Sequence, residues 1–109
     1  MVAKHKVTGD YAGFTSLIFT GFNPKMLNQG NTGVAMKHRN KGLGRWLKAT
    51  LLKHVLKEMP EVKKIRSEND TTNKPMLNIN NQMGFKPIYS ESYWQVTTEK
   101  VDEYLNSKF

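Results

Sequence analysis

The chain has 109 residues, of which 17 are Lys or Arg and 9 are Asp or Glu, and it contains no cysteine. This length suits a single domain with one modest core, and the lack of cysteine excludes a disulfide framework and any thiolate metal cluster. No apolar run is long enough to cross a bilayer, and residues 1–20 lack a signal-peptide pattern. We therefore expect a soluble cytoplasmic protein with no membrane partner.

The surplus positive charge is concentrated in one part of the chain. No acidic residue occurs between Asp10 and Glu58, and outside that segment 9 basic and 9 acidic residues cancel. Such clustering predicts a polyanionic partner, either a phosphorylated cofactor or nucleic acid, and a solvated basic helix face is the alternative. The basic residues of the segment are Lys25, Lys37, Arg39, Lys41, Arg45, Lys48, Lys53 and Lys57.

The first third of the chain has a strand-rich pattern. Residues 1–12 predict a loose lead-in or an edge strand. Residues 14–20 are β-branched and aromatic on both faces, as in an interior strand. Residues 21–30 then predict a hairpin connection, and residues 31–36 a second strand.

A long helix and a short strand are predicted next. From Gly42 to Glu58, apolar residues recur at helical spacing, and Pro60 ends the pattern. Residues 62–67 predict a short strand.

The last third alternates helix, strand and helix. Residues 75–83 predict a helix with Pro75 in its first turn and Gly84 at its C-terminal cap. Residues 85–97 predict a long strand, and residues 98–109 a short amphipathic helix. The predicted order is β-β-α-β-α-β-α, an α/β protein with a mixed sheet in one domain over 1–109.

The loop between the second strand and the long helix carries the first functional signal. Arg39 and Lys41 flank a turn with Gly42 and Gly44, and the first amides of the following helix point into the loop. Backbone amides at a helix N-terminus bind phosphate well. By itself this pattern is weak, because many helices follow flexible turns.

Two motifs in order make the signal specific. The pattern Val34-x-x-x-x-Arg39-x-x-Gly42-x-Gly44 resembles the acyl-CoA-binding signature of the GNAT (Gcn5-related N-acetyltransferase) superfamily. Asn69 and the segment 73–85, which ends in Gly-Phe, are similar to that family's next helix and its exit. The resemblance covers roughly residues 13–97, between the lead-in 1–12 and the C-terminal helix 98–109, and implies a truncated GNAT acyl-CoA N-acyltransferase-like fold.

The resemblance implies acetyl-CoA (coenzyme A) as co-substrate and an amine as acceptor. The strand at 34–36 would pair with the pantetheine arm, the amides of 39–44 would hold the pyrophosphate, and the strand at 62–67 would splay away. No metal is expected, because the three histidines are dispersed. The implied cofactor-binding residues are Val34, Ala35, Met36, Arg39, Asn40, Lys41, Gly42, Leu43, Gly44, Arg45, Asn69, Asn73 and Met76.

The catalytic groups remain open. The family chemistry is direct attack of an amine on the thioester, with a tyrosine in many members as general acid. Here that position is Asn80, whose amide can orient a group but cannot donate a proton as an acid. Tyr89, Tyr93 or solvent can replace the tyrosine, and Glu68 is either a base or an ordinary exposed carboxylate.

The resemblance also implies that the first elements of the family domain are absent. Either the chain is the C-terminal half of a longer protein, or it completes its sheet in a homodimer, because an open apolar edge favours pairing. The leading function is an acetyl-CoA-dependent N-acetyltransferase, with a non-catalytic acyl-CoA-binding module as the alternative. Nucleic-acid binding ranks lowest.

Overall fold

The structure is a computed structural model that describes all residues, Met1–Phe109. It contains four strands and three α-helices. The chain divides into two compact units, Met1–Ile79 and Asn80–Phe109, which are described separately. The elements are β1 (Val2–Lys4), β2 (Tyr11–Ile18), β3 (Met26–Val34), α1 (Leu43–Glu58), β4 (Lys64–Ser67), α2 (Lys74–Gln82) and α3 (Thr98–Lys108).

The sheet of the first unit has the order β1-β2-β3-β4. The pairs β1–β2 and β2–β3 are antiparallel, whereas β3 and β4 are parallel because α1 crosses over between them. The predicted α/β class with a mixed sheet is confirmed. Of the two alternatives for residues 1–12, the structure forms the edge strand.

The strand predicted at residues 31–36 corresponds to β3, which is longer than predicted. β3 begins at Met26, within the segment expected to be a hairpin connection, and it ends at Val34 before a short 3-10 turn, Met36–His38. The polar pair Asn28–Gln29 has the composition of a turn, yet the Gln29 side chain is buried and hydrogen-bonded to β2. Tertiary pairing therefore outweighs the local turn preference.

The core lies between the sheet and α1, which packs on β2 and β3. Leu47 is fully buried, and Leu27 and Val55 are 2% exposed. The predicted stripe of α1 thus faces the sheet, and burying each of these side chains contributes about 1.5–3 kcal/mol. Met59 N bonds Val55 O just before Pro60, where the helix was predicted to stop.

The second unit differs from its prediction at one element. Residues 85–97 form no regular secondary structure, so the predicted strand is wrong. Large side chains there are exposed, with Tyr93 at 89% and Trp94 at 93%. Strand propensity expresses fit to a pleated, paired surface, and this unit has no strand for the segment to pair with.

The C-terminal helix is confirmed as α3. Thr97 accepts a hydrogen bond from Lys100 N at 3.3 Å and caps the helix, and Glu99 lies in the first turn. No residue of α3 is buried. None of the three helices combines the length and apolarity that a bilayer span requires.

Candidate functional site

The two edges of β3 are paired over different lengths. On one side β2 pairs with β3 as far as Val34, whereas on the other side β4 pairs only with residues 26–29. Residues 30–34 therefore have one edge without a partner strand. Unpaired main-chain groups on a strand edge bind extended ligands by adding a strand.

A cleft of about 140 Å³ lies beside this open edge. Residues 29–32 form one wall and residues 67–70, at the end of β4, form the other. Asn73 and Met76, at the start of α2, and Lys48 of α1 complete the lining. β4 is paired with β3 over its whole length and ends at Ser67, where the chain turns into a polar loop, so the space beside residues 30–34 exists because the strand stops. The expected divergence of the strand at 62–67 stays a prediction.

A bulge in β3 lies within the open half. Thr15 pairs with Thr32 and Leu17 pairs with Gln29, so β3 has one residue more than β2 over this stretch. The bulge contains Gly30, where a Cβ atom would approach Ser16 Oγ to 2.3 Å. Only glycine fits there without a shift of Ser16.

A buried polar network supports the cleft. Gln29 Nε2 donates to Thr15 Oγ1 at 3.0 Å and to Ser16 O at 2.7 Å, and the Thr15 and Thr32 hydroxyls lie 2.8 Å apart. Gln29 Oε1 is buried and has no hydrogen-bond partner. A buried acceptor without a donor is costly, so this atom suits a ligand N–H.

The strand continues into the basic loop through an ordered turn. Ala35 N donates to Ala12 O at 2.8 Å, which extends the ladder by one residue. Arg39 Nε donates to Val34 O at 2.9 Å, and this bond folds the Arg39 side chain back over the end of the strand. Arg39 therefore also shapes the loop, a role that the motif alone does not indicate.

The loop ends in a helix N-terminus without a side-chain cap. Asn40 and Gly42 have φ angles of 63° and 76°, and Gly42 is the N-cap residue of α1. A Cβ atom at Gly42 would meet nothing within 4 Å, so the space beside its backbone is open. With no acidic residue in the first turn, the amide groups there suit an external anion.

The predicted cofactor residues form two groups, one where β3 leads into α1 and one at the cleft. Val34, Ala35, Met36, Arg39, Asn40, Lys41, Gly42, Leu43, Gly44 and Arg45 form the strand end, the loop and the start of α1. Asn69, Asn73 and Met76 line the cleft together with Glu68. Asn69 Nδ2 donates to Ser67 Oγ at 3.2 Å, and Asn73 Oδ1 accepts from Met76 N at 3.4 Å.

The remaining catalytic candidates belong to the second unit. Asn80 lies within α2 and is 6% exposed. Tyr89 and Tyr93 lie in the irregular segment and are 60% and 89% exposed. The role of Asn80 stays a prediction.

Sequence reasoning missed Gln29, Lys48 and Asp70, all of which line the cleft. Lys48 is 1% exposed, and desolvation lowers its pKa from the ordinary lysine value. Hydrogen bonds from Thr72 lower the pKa of Asp70 and keep it ionised. A signal for Lys48 was present, since it falls on the apolar stripe of α1 with Leu51 and Val55.

Among solved structures, the chain is similar to a tandem GNAT protein from the clavulanic acid biosynthesis pathway, solved without AcCoA. The two share 41% identity with a TM-score of 0.74, over 79% of this chain and 26% of that one. The chain belongs to the GNAT superfamily. It spans about a quarter of the tandem protein's length.

Two further structures share the fold at low identity. One is a ribosomal-protein-alanine N-acetyltransferase from Brucella melitensis, with 16% identity, a TM-score of 0.62 and coverage of 85% of this chain and 68% of that one. The other is a glucosamine-6-phosphate N-acetyltransferase from Arabidopsis thaliana, with 19% identity, a TM-score of 0.57 and coverage of 86% and 65%. No model of a known protein family and no curated protein matches the sequence.

Proposed function

We propose that this GNAT chain is an acetyl-CoA-dependent N-acetyltransferase that transfers an acetyl group to an unidentified amine. The observation that supports it best is the open edge of β3, which runs from the cleft to the uncapped N-terminus of α1. Acetyltransferase neighbours with the same fold support the general activity.

In this proposal each part of the site has one task. The pantetheine arm adds a strand to residues 30–34, with Gln29 Oε1 as an additional acceptor. Amides of residues 39–44 and the charges of Lys41 and Arg45 hold the pyrophosphate. Asn69, Asn73 and Met76 contact the distal part of the arm from the opposite wall.

The reaction is attack of an amine nitrogen on the thioester carbonyl carbon, with loss of the CoA thiol. Glu68, which lines the cleft, is the candidate base for the amine proton. Asn80 positions groups without donating a proton, and Tyr89, Tyr93 or solvent protonates the thiolate. This chemistry requires no metal.

Isothermal calorimetry with acetyl-CoA at moderate salt tests the cofactor assignment. Gly42→Val should lower the affinity about tenfold or more, a change of about 1.4 kcal/mol, because its side chain fills the open space beside the loop backbone. Gly21→Val is the matched control, since Gly21 also has a positive φ with nothing within 4 Å. Equal loss of affinity in both variants would refute the assignment of residues 39–44 as the pyrophosphate site.

The alternative is an acyl-CoA-binding module without catalysis, which is favoured by Asn80, an amide at the position where many family members have the tyrosine that acts as general acid. Thiol release from acetyl-CoA with a panel of amines separates the two functions. Binding without turnover for any amine would support the module.

We further propose that the chain, whose family-like core is 13–97, is cytoplasmic and completes its sheet in a homodimer. Val2 and Phe14 are register partners on the sheet and are 59% and 45% exposed, and Ile18 is 53% exposed, so β1 and β2 present apolar surface. Sedimentation equilibrium at micromolar concentration tests the dimer, and a monomer would contradict it. Cell fractionation tests the location.

A further inference from the structure

The first unit has an apolar groove of about 340 Å³ that shares no lining residue with the cleft. Its walls include Leu17 and Phe19 from the end of β2 and Leu51 and Val55 from the C-terminal half of α1. Its one ionisable side chain is that of His54. Binding pockets in proteins are mostly apolar and measure roughly 300–1,000 Å³. The proposed acetyl transfer makes no use of this groove.

The C-terminal helix α3 has an apolar stripe that stays exposed in its own chain. Tyr104 and Leu105 lie three and four positions after Val101, so the three side chains share one face of the helix. Phe109, four positions after Leu105, continues the stripe and is 92% exposed. No residue of α3 is buried. Helices of this length are marginal in water without packing of their apolar face, so the stripe needs a partner surface.

The groove and the helix belong to units of opposite charge. Residues 1–79 contain 14 Lys or Arg and 5 Asp or Glu, whereas residues 80–109 contain 3 and 4. Beside the groove, Lys57 lies one turn after His54 on α1 and is exposed, with Glu58 at 3.9 Å as its acidic neighbour. The stripe of α3 is flanked by Asp102. Complementary charge of this kind favours the encounter of one molecule's α3 with another molecule's first unit.

We propose that α3 of one molecule occupies the groove of a second copy, which returns the same contact. An amphipathic helix binds an apolar groove through side chains three, four and seven positions apart, the spacing of the stripe. The connecting residues 85–97 have no regular secondary structure and span at most about 45 Å when extended, which lets α3 reach a neighbouring molecule. Reciprocal exchange of an identical element closes a two-fold dimer. This contact is separate from the sheet contact through β1 and β2 and does not rest on the proposed acetyl transfer.

Single cysteines report the contact directly, because the chain has none of its own. Full-length His54→Cys and Leu105→Cys chains are mixed and oxidised, and mass spectrometry of the linked peptides measures the disulfide between the two positions. We expect at least tenfold more of it than in a mixture of His54→Cys with Ser107→Cys, because Ser107 lies two positions from Leu105 and faces away from the stripe. Equal yields would overturn the proposal. So would a mainly intrachain disulfide in the double variant His54→Cys/Leu105→Cys.

Sedimentation equilibrium of charge variants tests whether the contact holds the dimer together. Leu105→Asp and Phe19→Asp should each weaken dimerisation at least tenfold, because each places a carboxylate in the apolar contact. Both side chains are about half exposed in the single chain, so the fold should persist, as circular dichroism will check. Ser107→Asp and Phe22→Asp, the matched controls outside the contact, should associate as wild type. A monomeric wild type, or a dimer unaffected by Leu105→Asp, would overturn the exchange, whereas acetyl-CoA binding should be unchanged in all four variants.

Discussion

The two halves of β3 differ in a way that separates stability from function. Residues 26–29 all pair with β4, Asn28 and Gln29 pair with β2 as well, and Leu27 is buried, whereas residues 30–34 have β2 as their one partner strand and carry the bulge at Gly30. The first half forms part of the folded core, and the second leaves main-chain groups for a ligand. β3 therefore contributes to the sheet with one part and to the candidate site with the other.

The cause of the difference is the length of β4. It has four residues and ends at Ser67, after which Asp70 and Thr72 form a hydrogen-bonded turn. Had β4 continued, its backbone would occupy the edge that the proposed pantetheine arm uses. The comparison predicts that substitutions in the two halves have separable effects.

The largest effect is expected in the paired half. Leu27→Ala should lower the free energy of unfolding by about 2–5 kcal/mol, because it leaves a cavity at a side chain that is 2% exposed. Urea denaturation measures the change, and Leu56→Ala on the exposed face of α1 should stay within about 0.5 kcal/mol. The affinity of the folded protein for acetyl-CoA should not change. A loss of affinity in folded Leu27→Ala would contradict the assignment of stability to residues 26–29 and of binding to residues 30–34.

A smaller effect is expected at the network under the open half. Thr15→Val removes the hydroxyl that accepts from Gln29 Nε2 and bonds to Thr32, and should cost about 1–3 kcal/mol. Thr20→Val, at an exposed position, is the control for urea denaturation. Because the network positions Gln29 beside the cleft, acetyl-CoA affinity should fall as well, and unchanged affinity would argue against Gln29 as a ligand acceptor.

The third prediction concerns the pH dependence of stability at Lys48. Since burial lowers its pKa, the folded state binds fewer protons than the unfolded state between the lowered value and the ordinary value of 10.5. The wild-type free energy of unfolding should therefore rise with pH through that window relative to Lys48→Met. Urea midpoints at several pH values measure the difference between the two proteins. A difference that does not vary with pH would show that the amine is not desolvated in the folded state.

The smallest effect is expected at the exposed ion pair of Lys37, which follows β3, with Asp10. Lys37 and Asp10 form an exposed ion pair, and Lys37 lowers the pKa of Asp10, mainly by its hydrogen bond. The contribution is present above the ordinary Asp pKa and is lost as pH falls through the lowered value, and salt screens it. Asp10→Asn should shift the melting temperature only slightly and leave acetyl-CoA binding unchanged. Lys37→Gln, the reciprocal change, should match it in thermal melts at low and high salt.

The sequence by itself determined the elements whose signals are local. The apolar stripe and Pro60 define α1, Pro75 and Gly84 bound α2, and an amphipathic pattern defines α3. Gly42, with its positive φ, marks the loop that leads into α1. These features depend on residues a few positions apart, and the two motifs that they contain were enough to predict the superfamily.

Only the tertiary structure decided which residues are brought together in the cleft. Pairing of β3 with β4 joins residues more than thirty positions apart, and its extent fixes where the open edge begins. The burial of Gln29 and Lys48 follows from that packing and not from their polar character. Residues 85–97 also show that pairing outweighs local propensity. This segment has high strand propensity but forms no strand, because its unit has no strand edge to pair with.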